Sequence, residues 1–221
     1  LNCCGAKISG AGDSTIVIEG VKSLHGCEHE VIPDRIAAAT YLAATAATGG
    51  SIILNHVVPE HLAPVLPLFE ESGCRFAIHE KEIYMSAPSR LGRIKNVRTM
   101  PYPGFPTDAQ APMMAMAAVA NGTSIFVENI FESRYKHVGE LLRLGANIKV
   151  EGRVAVVEGV GRLSGAPVEA ADLRGGAALV VAGLAAQGET LVSGVRHIDR
   201  GYECLEENLC LLGAQVKRLP D

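Results

Sequence analysis

The sequence predicts an α/β fold made of three repeats of a strand-helix-strand-helix-strand-strand unit (βαβαββ), and three observations predict it. A Gly-small-X stop recurs at Gly5-Ala6-Lys7, Gly73-Cys74-Arg75, Gly145-Ala146-Asn147 and Gly213-Ala214-Gln215, at spacings of 68, 72 and 68 residues. Between the stops lie three charged helix starts, Pro33-Asp34-Arg35, Pro106-Thr107-Asp108 and Ala171-Asp172-Leu173-Arg174. The first helix of each repeat is apolar nearly all round, whereas the second carries charge on one face. The first set should be buried and the second should lie outside.

Taken in order, Ile8 to Ile18 alternates as a strand hairpin broken at Gly10-Ala11-Gly12. Val31-Ile32 ends a further strand. Pro33-Asp34 then opens a helix over 35–48, with Asp as its cap and Gly49-Gly50 as its stop. Ser51 to Leu54 reads as a short strand, and Glu60 to Ser72 as an outer helix with Glu70 and Glu71 on its charged face. The second repeat places a helix of Ala and Met over 108–120, a strand over 124–127, and an outer helix over 135–144 with Glu140 and Arg143. Met113, Met114 and Met116 read as core filler. The third has a helix over 172–186, a strand over 190–192, and an outer helix over 203–212 with Glu206 and Glu207.

Composition narrows the class. With 221 residues, 48% hydrophobic and 20% charged, the chain has ample apolar surface for a core. Its longest apolar stretch, Ala177 to Ala186, is too short to cross a bilayer, so no membrane role is expected. Leu1 to Lys7 lacks the basic start and apolar run of a signal peptide. A net charge of -4 argues against a nucleic-acid binder driven by bulk charge. The six cysteines show no CxxC and no paired metal spacing, so they read as reduced thiols. His25, Cys27, Glu28 and His29 follow a strand and a turn at Gly26 and read as loop rather than metal site, and no metal or cofactor is expected. The chain opens on a helix end and its stop without the helix body, which predicts a fragment of a longer protein.

Packed as three copies, the starts at Asp34-Arg35, Asp108 and Asp172-Arg174 should converge on one end of the domain with three positive helix termini. Arg134 and Arg200 stand before the outer helices of the second and third repeats. Asp34 and Asp172 are equally explained as caps. Arg gains little at a helix start, so capping does not explain Arg134 or Arg200. Guanidinium forks beside helix N-termini suit carboxylate or phosphate.

Four strings now occur in one order: Phe105-Pro106-Thr107-Asp108, Phe131-Glu132-Ser133-Arg134 with His137-Val138, Asp172-Leu173-Arg174, and His197-Ile198-Asp199-Arg200-Gly201-Tyr202-Glu203. They resemble the UDP-N-acetylglucosamine enolpyruvyl transferases, over essentially the whole chain and through the C-terminal half of that family. The resemblance implies an inside-out α/β barrel lobe of three repeats. It also implies a cytoplasmic enzyme that moves the enolpyruvyl group of phosphoenolpyruvate to the 3'-hydroxyl of UDP-N-acetylglucosamine, releasing phosphate, without a metal or organic cofactor. By resemblance, Asp108 is the carboxylate at the sugar hydroxyl, and Arg134 and Arg174 hold the carboxylate of phosphoenolpyruvate. Arg200 holds its phosphate, and the Ile130 backbone touches the UDP-sugar. Asp172 orients the arginines or shuttles protons, and Arg35 lies near the hinge between lobes.

The chain departs from the family where Pro33-Asp34-Arg35-Ile36 continues with Ala37-Ala38-Ala39 instead of an acid and a Gly-Thr pair. No cysteine here matches the family's mobile loop. Residues 1–31 are expected to be the end of the N-terminal lobe and residues 32–221 the C-terminal lobe, so the chain alone should lack turnover. Strands of a missing lobe leave an open sheet edge, which predicts dimers of the isolated chain. Two other readings stand beside this one: the sister family acting on shikimate 3-phosphate, and a non-catalytic binding or assembly lobe.

Overall fold

The structure, a computed structural model, describes residues 1–219. The chain divides into two compact units, Leu1–Pro33 and Asp34–Asp221. In the first, a helical turn over Asn2–Cys4 precedes β1 (Lys7–Ser9), which pairs antiparallel with β2 (Val17–Glu19), Ile8 opposite Ile18. The expected hairpin is present, one residue longer at each end. Val31-Ile32 forms no strand: both side chains are exposed, and no described strand pairs with them to satisfy their backbone groups.

In the second unit, the first repeat comprises α1 (Arg35–Thr48), β3 (Ser51–Asn55), α2 (Leu66–Glu71), β4 (Arg75–His79) and β5 (Glu82–Ser86). The second shows the full order: β6 (Asn96–Arg98), α3 (Thr107–Ala117), β7 (Thr123–Val127), α4 (Val138–Arg143), β8 (Asn147–Glu151) and β9 (Val154–Glu158). The third comprises β10 (Leu163–Ser164), β11 (Pro167–Glu169), α5 (Leu173–Ala185), β12 (Ala186–Gln187), β13 (Leu191–Ser193) and α6 (Leu205–Leu211). Here the expected final hairpin is absent among the described residues. After Gly213 the chain runs to Leu219 without strand, and the Cys210 thiol donates to the Val216 carbonyl.

The sheets run β3-β5-β4 and β6-β7-β9-β8, with β11 beside β13 and β10 beside β12 in parallel pairs. Their inner faces alternate with period two: Ile83 and Met85 of β5, and Ala155 and Val157 of β9, point to the core. Inside, α1, α3 and α5 pack against one another pairwise. Leu42 and Ala43 of α1, Met113, Met114 and Met116 of α3, and Ala178 and Ala182 of α5 are all fully buried. Small alanines allow close helix approach, and flexible methionines fill what remains. Among the described residues no helix is long and apolar enough to cross a membrane.

Each Gly stop has one geometry. The glycines at 5, 73, 145 and 213 have φ of 88°, 99°, 88° and 94°, a region that suits residues without a Cβ. In every case the following residue's N–H reaches back five positions, as Cys74 does to the Phe69 carbonyl and Ala146 to Leu141. This is a Schellman ending, and it explains why the sequence signal was a Gly followed by a small residue. The outer helices are shorter than expected. Pro64 and Pro67 cannot donate to an earlier turn, so the segment read as a helix over 60–72 splits into a 3-10 turn at Pro59–Leu62 and α2.

Candidate active site

Asp108, in the first turn of α3, meets two arginines. Its Oδ1 accepts from Arg134 Nη2 at 2.5 Å, and its Oδ2 lies 3.3 Å from Arg174 Nε in the first turn of α5. The second contact brings the charges close without hydrogen-bond alignment. Arg174 Nε and Nη1 are buried with no hydrogen-bond partner among the described residues. Burial pulls the Arg174 pKa down, but Tyr202, Asp108 and Asp34 outweigh it and leave it raised, so this side chain stays charged. Asp34 caps α1, so its field at Arg174 means that all three buried helices bring their N-termini to this place, as the repeat predicted.

The third repeat supplies the floor. The Arg174 guanidinium stands over the Tyr202 ring at 5.4 Å, and the Tyr202 hydroxyl lies 2.8 Å from Thr40 Oγ1 of α1. The loop bearing Tyr202 presses onto α5 at a glycine: a Cβ on Gly176 would lie 2.7 Å from Ile198 Cγ1 and 2.9 Å from Ala170 Cβ. Ala37, where the resemblance implies an acid, is half-buried against the cluster holding Ile198 and Tyr202.

The remaining expected residues divide. Asp34 Oδ1 accepts from the Ile36 N–H and Asp172 Oδ1 from the Gly175 N–H, each at 2.7 Å, so both are helix caps. Arg35 lies over the Tyr102 ring at 5.2 Å, and Arg134 over Phe131 at 5.3 Å. Arg200 is exposed in the loop between a 3-10 turn at Val195–His197 and α6, and no salt bridge to it occurs among the described residues. Its neighbour Asp199 is gripped by Arg218 at 2.6 and 3.0 Å, which also holds Glu206. The Arg218 hydrogen bond lowers the Asp199 pKa.

Two residues escaped the sequence reading as site residues. Glu128, just past β7, is 1% exposed and accepts four hydrogen bonds: from the Thr99 and Thr107 hydroxyls at 2.9 Å, the Ile130 N–H at 2.8 Å and the Phe131 N–H at 3.1 Å. It fastens the Ile130-Phe131 turn to the residue before Asp108. The available signal was an acid ending an apolar strand, but its partners Thr99 and Thr107 are distant in sequence. In the sequence His137 stands out only within the string that also holds Val138. It is buried against the start of α5, where a Cβ on Gly175 would lie 3.0 Å from its own. Burial lowers its pKa to about 4, against the pull of Asp172, and its Nε2 has no partner among the described residues.

Comparison with known proteins gives the class first. The family model described as EPSP synthase (3-phosphoshikimate 1-carboxyvinyltransferase) matches residues 1–209. The solved enolpyruvyl transferase NikO from Streptomyces tendae superposes with a TM-score of 0.86 at 29% identity, covering 98% of this chain and 52% of that one. The fold is therefore the inside-out α/β barrel of the enolpyruvyl transferases, with helices inside and sheets outside. A UDP-N-acetylglucosamine 1-carboxyvinyltransferase of Desulfofundulus thermocisternus is 54% identical over the whole chain, which spans 90% of that protein. UDP-N-acetylglucosamine 1-carboxyvinyltransferase 2 of Caldanaerobacter subterraneus is 50% identical over 99% of the chain, which spans about half of it, 52%. The chain belongs to the EPSP synthase family, among its UDP-N-acetylglucosamine 1-carboxyvinyltransferases.

Proposed function

We propose that the protein carrying this chain transfers the enolpyruvyl group of phosphoenolpyruvate to the 3'-hydroxyl of UDP-N-acetylglucosamine, releasing phosphate, the first committed step of peptidoglycan synthesis. The observation that carries this reading is Arg174: a guanidinium whose Nε and Nη1 are buried without a hydrogen-bond partner among the described residues, beside Arg134 and an ion-paired carboxylate. Unmet charged donors in a buried site call for an anion with paired oxygens.

The reaction protonates carbon 3 of the enolpyruvate, adds the sugar hydroxyl at carbon 2, and expels phosphate and a proton from the tetrahedral ketal. Without substrate, Asp108 is tied to both arginines. The phosphoenolpyruvate carboxylate takes their place on Arg174 and Arg134, which releases Asp108 to accept the proton of the sugar hydroxyl. The exposed Arg200 takes the phosphate, whose charge grows as it leaves. Glu128 already occupies the Ile130 N–H, so that residue offers the UDP-sugar its carbonyl, an acceptor. Asp172 fixes the start of α5, and with it Arg174. Arg35 flanks the site from the start of α1.

The chain supplies one wall of this cleft, and we assign residues 1–31 to the end of the partner lobe. The β1–β2 pair leaves open edges through which isolated chains dimerise; a concentration-independent monomer mass in light scattering would overturn that. The function is tested by phosphate release from phosphoenolpyruvate and UDP-N-acetylglucosamine in the full-length protein, with shikimate 3-phosphate as the competing acceptor. Asp108→Asn should lower the rate about a hundredfold or more. Release that ignores the UDP-sugar, or an unchanged rate in the variant, would sink the reading. Chain 1–221 alone should be silent.

A further inference from the structure

We propose that Cys4 and Cys27 are a redox-modification site, a thiol pair that closes reversibly to a disulfide within the first unit. Their sulfurs lie 3.2 Å apart, and the S–S bond of about 2.0 Å needs a side-chain movement of roughly 1 Å. The backbone already holds the two segments together. The His25 N–H donates to the Cys4 carbonyl at 2.9 Å, and a Cβ on Gly5 would lie 3.0 Å from the His25 ring. Cys27 is exposed and Cys4 half-buried, so an oxidant reaches the first and the second stands ready to resolve it.

The rest of the unit makes such a bond consequential. None of residues 1–33 is buried, and the unit is held by the three residue pairs of the β1–β2 hairpin, the Asn2 bonds to Ile8, the exposed Lys7–Glu19 ion pair and a few backbone bonds such as that from His25 to Cys4. A cross-link between positions 23 residues apart restricts the unfolded chain where no core opposes it. It also ties the opening helical turn to the segment from which the chain runs on to Asp34.

The chemistry balances with hydrogen peroxide as oxidant. The Cys27 thiolate attacks the peroxide, leaving a sulfenic acid and one water. The Cys4 thiolate then displaces the sulfenic oxygen as a second water and forms the S–S bond. Two thiols give up two electrons and two protons, and the peroxide is reduced. A dithiol such as dithiothreitol reverses the change.

The test treats chain 1–221 at high dilution with hydrogen peroxide, blocks remaining thiols with iodoacetamide, digests with trypsin and reads the peptides unreduced by mass spectrometry. The expected product links the peptide over 1–7 to that over 23–35 and disappears with dithiothreitol. Cys3→Ser keeps it, whereas Cys4→Ser and Cys27→Ser abolish it, with folding of each variant checked by circular dichroism. A linked peptide that survives in Cys4→Ser, one that forms only between two chains, or none at a dose that oxidises Cys27 would overturn the proposal.

Discussion

Tyr202 joins two of the three buried helices at the site: its ring lies under the Arg174 guanidinium of α5, and its hydroxyl meets Thr40 of α1. One side chain of the third-repeat loop thus sets where the buried charge stands. Tyr202→Phe keeps the ring and removes the hydroxyl, and should cost about 1 kcal/mol. Tyr202→Leu also loses the face beneath the cation and should cost about 1 kcal/mol more. Urea unfolding of the three proteins checks the order, and equal stability of the two variants would refute the cation–ring contact.

Glu128→Gln places an amide NH2 among four donors. The expected loss is about 2–3 kcal/mol, the scale of hydrogen bonds to a charged group. Amide exchange at Ile130 and Phe131 should quicken in the variant while exchange in β8 and β9 stays as it was. Unchanged exchange at both positions would show that the carboxylate does not hold the turn.

Much of this was legible in the sequence, and the limits follow from distance along the chain. The Gly stops and the apolar inner helices are local signals, and both were readable. Asp34 and Asp172 read equally as caps or as site charges; the structure shows both as caps, and Asp34 also helps to raise the Arg174 pKa. The pairing of Asp108 with Arg134 crosses 26 positions and that of Glu128 with Thr99 crosses 29, beyond any helical or strand period. Val31-Ile32 and the residues after Gly213 carried strand-like sequence, but a strand needs a neighbour, which no local pattern reports.

His137 gives a pH dependence with a definite sign. Its folded pKa of about 4 lies below the ordinary 6.5, so between those values the unfolded chain holds more protons. Stability contributed by the neutral ring is complete above pH 6.5 and falls as the pH drops toward 4, by about 3 kcal/mol in all. His137→Leu should flatten that part of the curve. Urea midpoints from pH 7 to 4 test it, and parallel curves for the two proteins would contradict it.

Gly176→Ala sets two effects against each other. Helix propensity favours Ala by about 1 kcal/mol. The added carbon would lie 2.9 Å from Ala170 Cβ, which has no rotamer to yield, as well as close to Ile198. Overpacking of about 1–3 kcal/mol should win, leaving a net loss in thermal stability and a shifted loop over 197–202. A stabilised variant would show that the loop sits less tightly than described.

The meeting of three helix starts has a consequence for mutational tolerance. Part of the attraction for anions comes from peptide N–H groups and helix termini, which no side-chain substitution removes. Loss of one arginine should therefore weaken ligand capture in a graded way while spoiling its orientation sharply. Under the proposed function, affinity and turnover would then fall by different factors in the same variant, and a protein stripped of Arg134 would go on capturing an anion long after it had lost the power to turn it over.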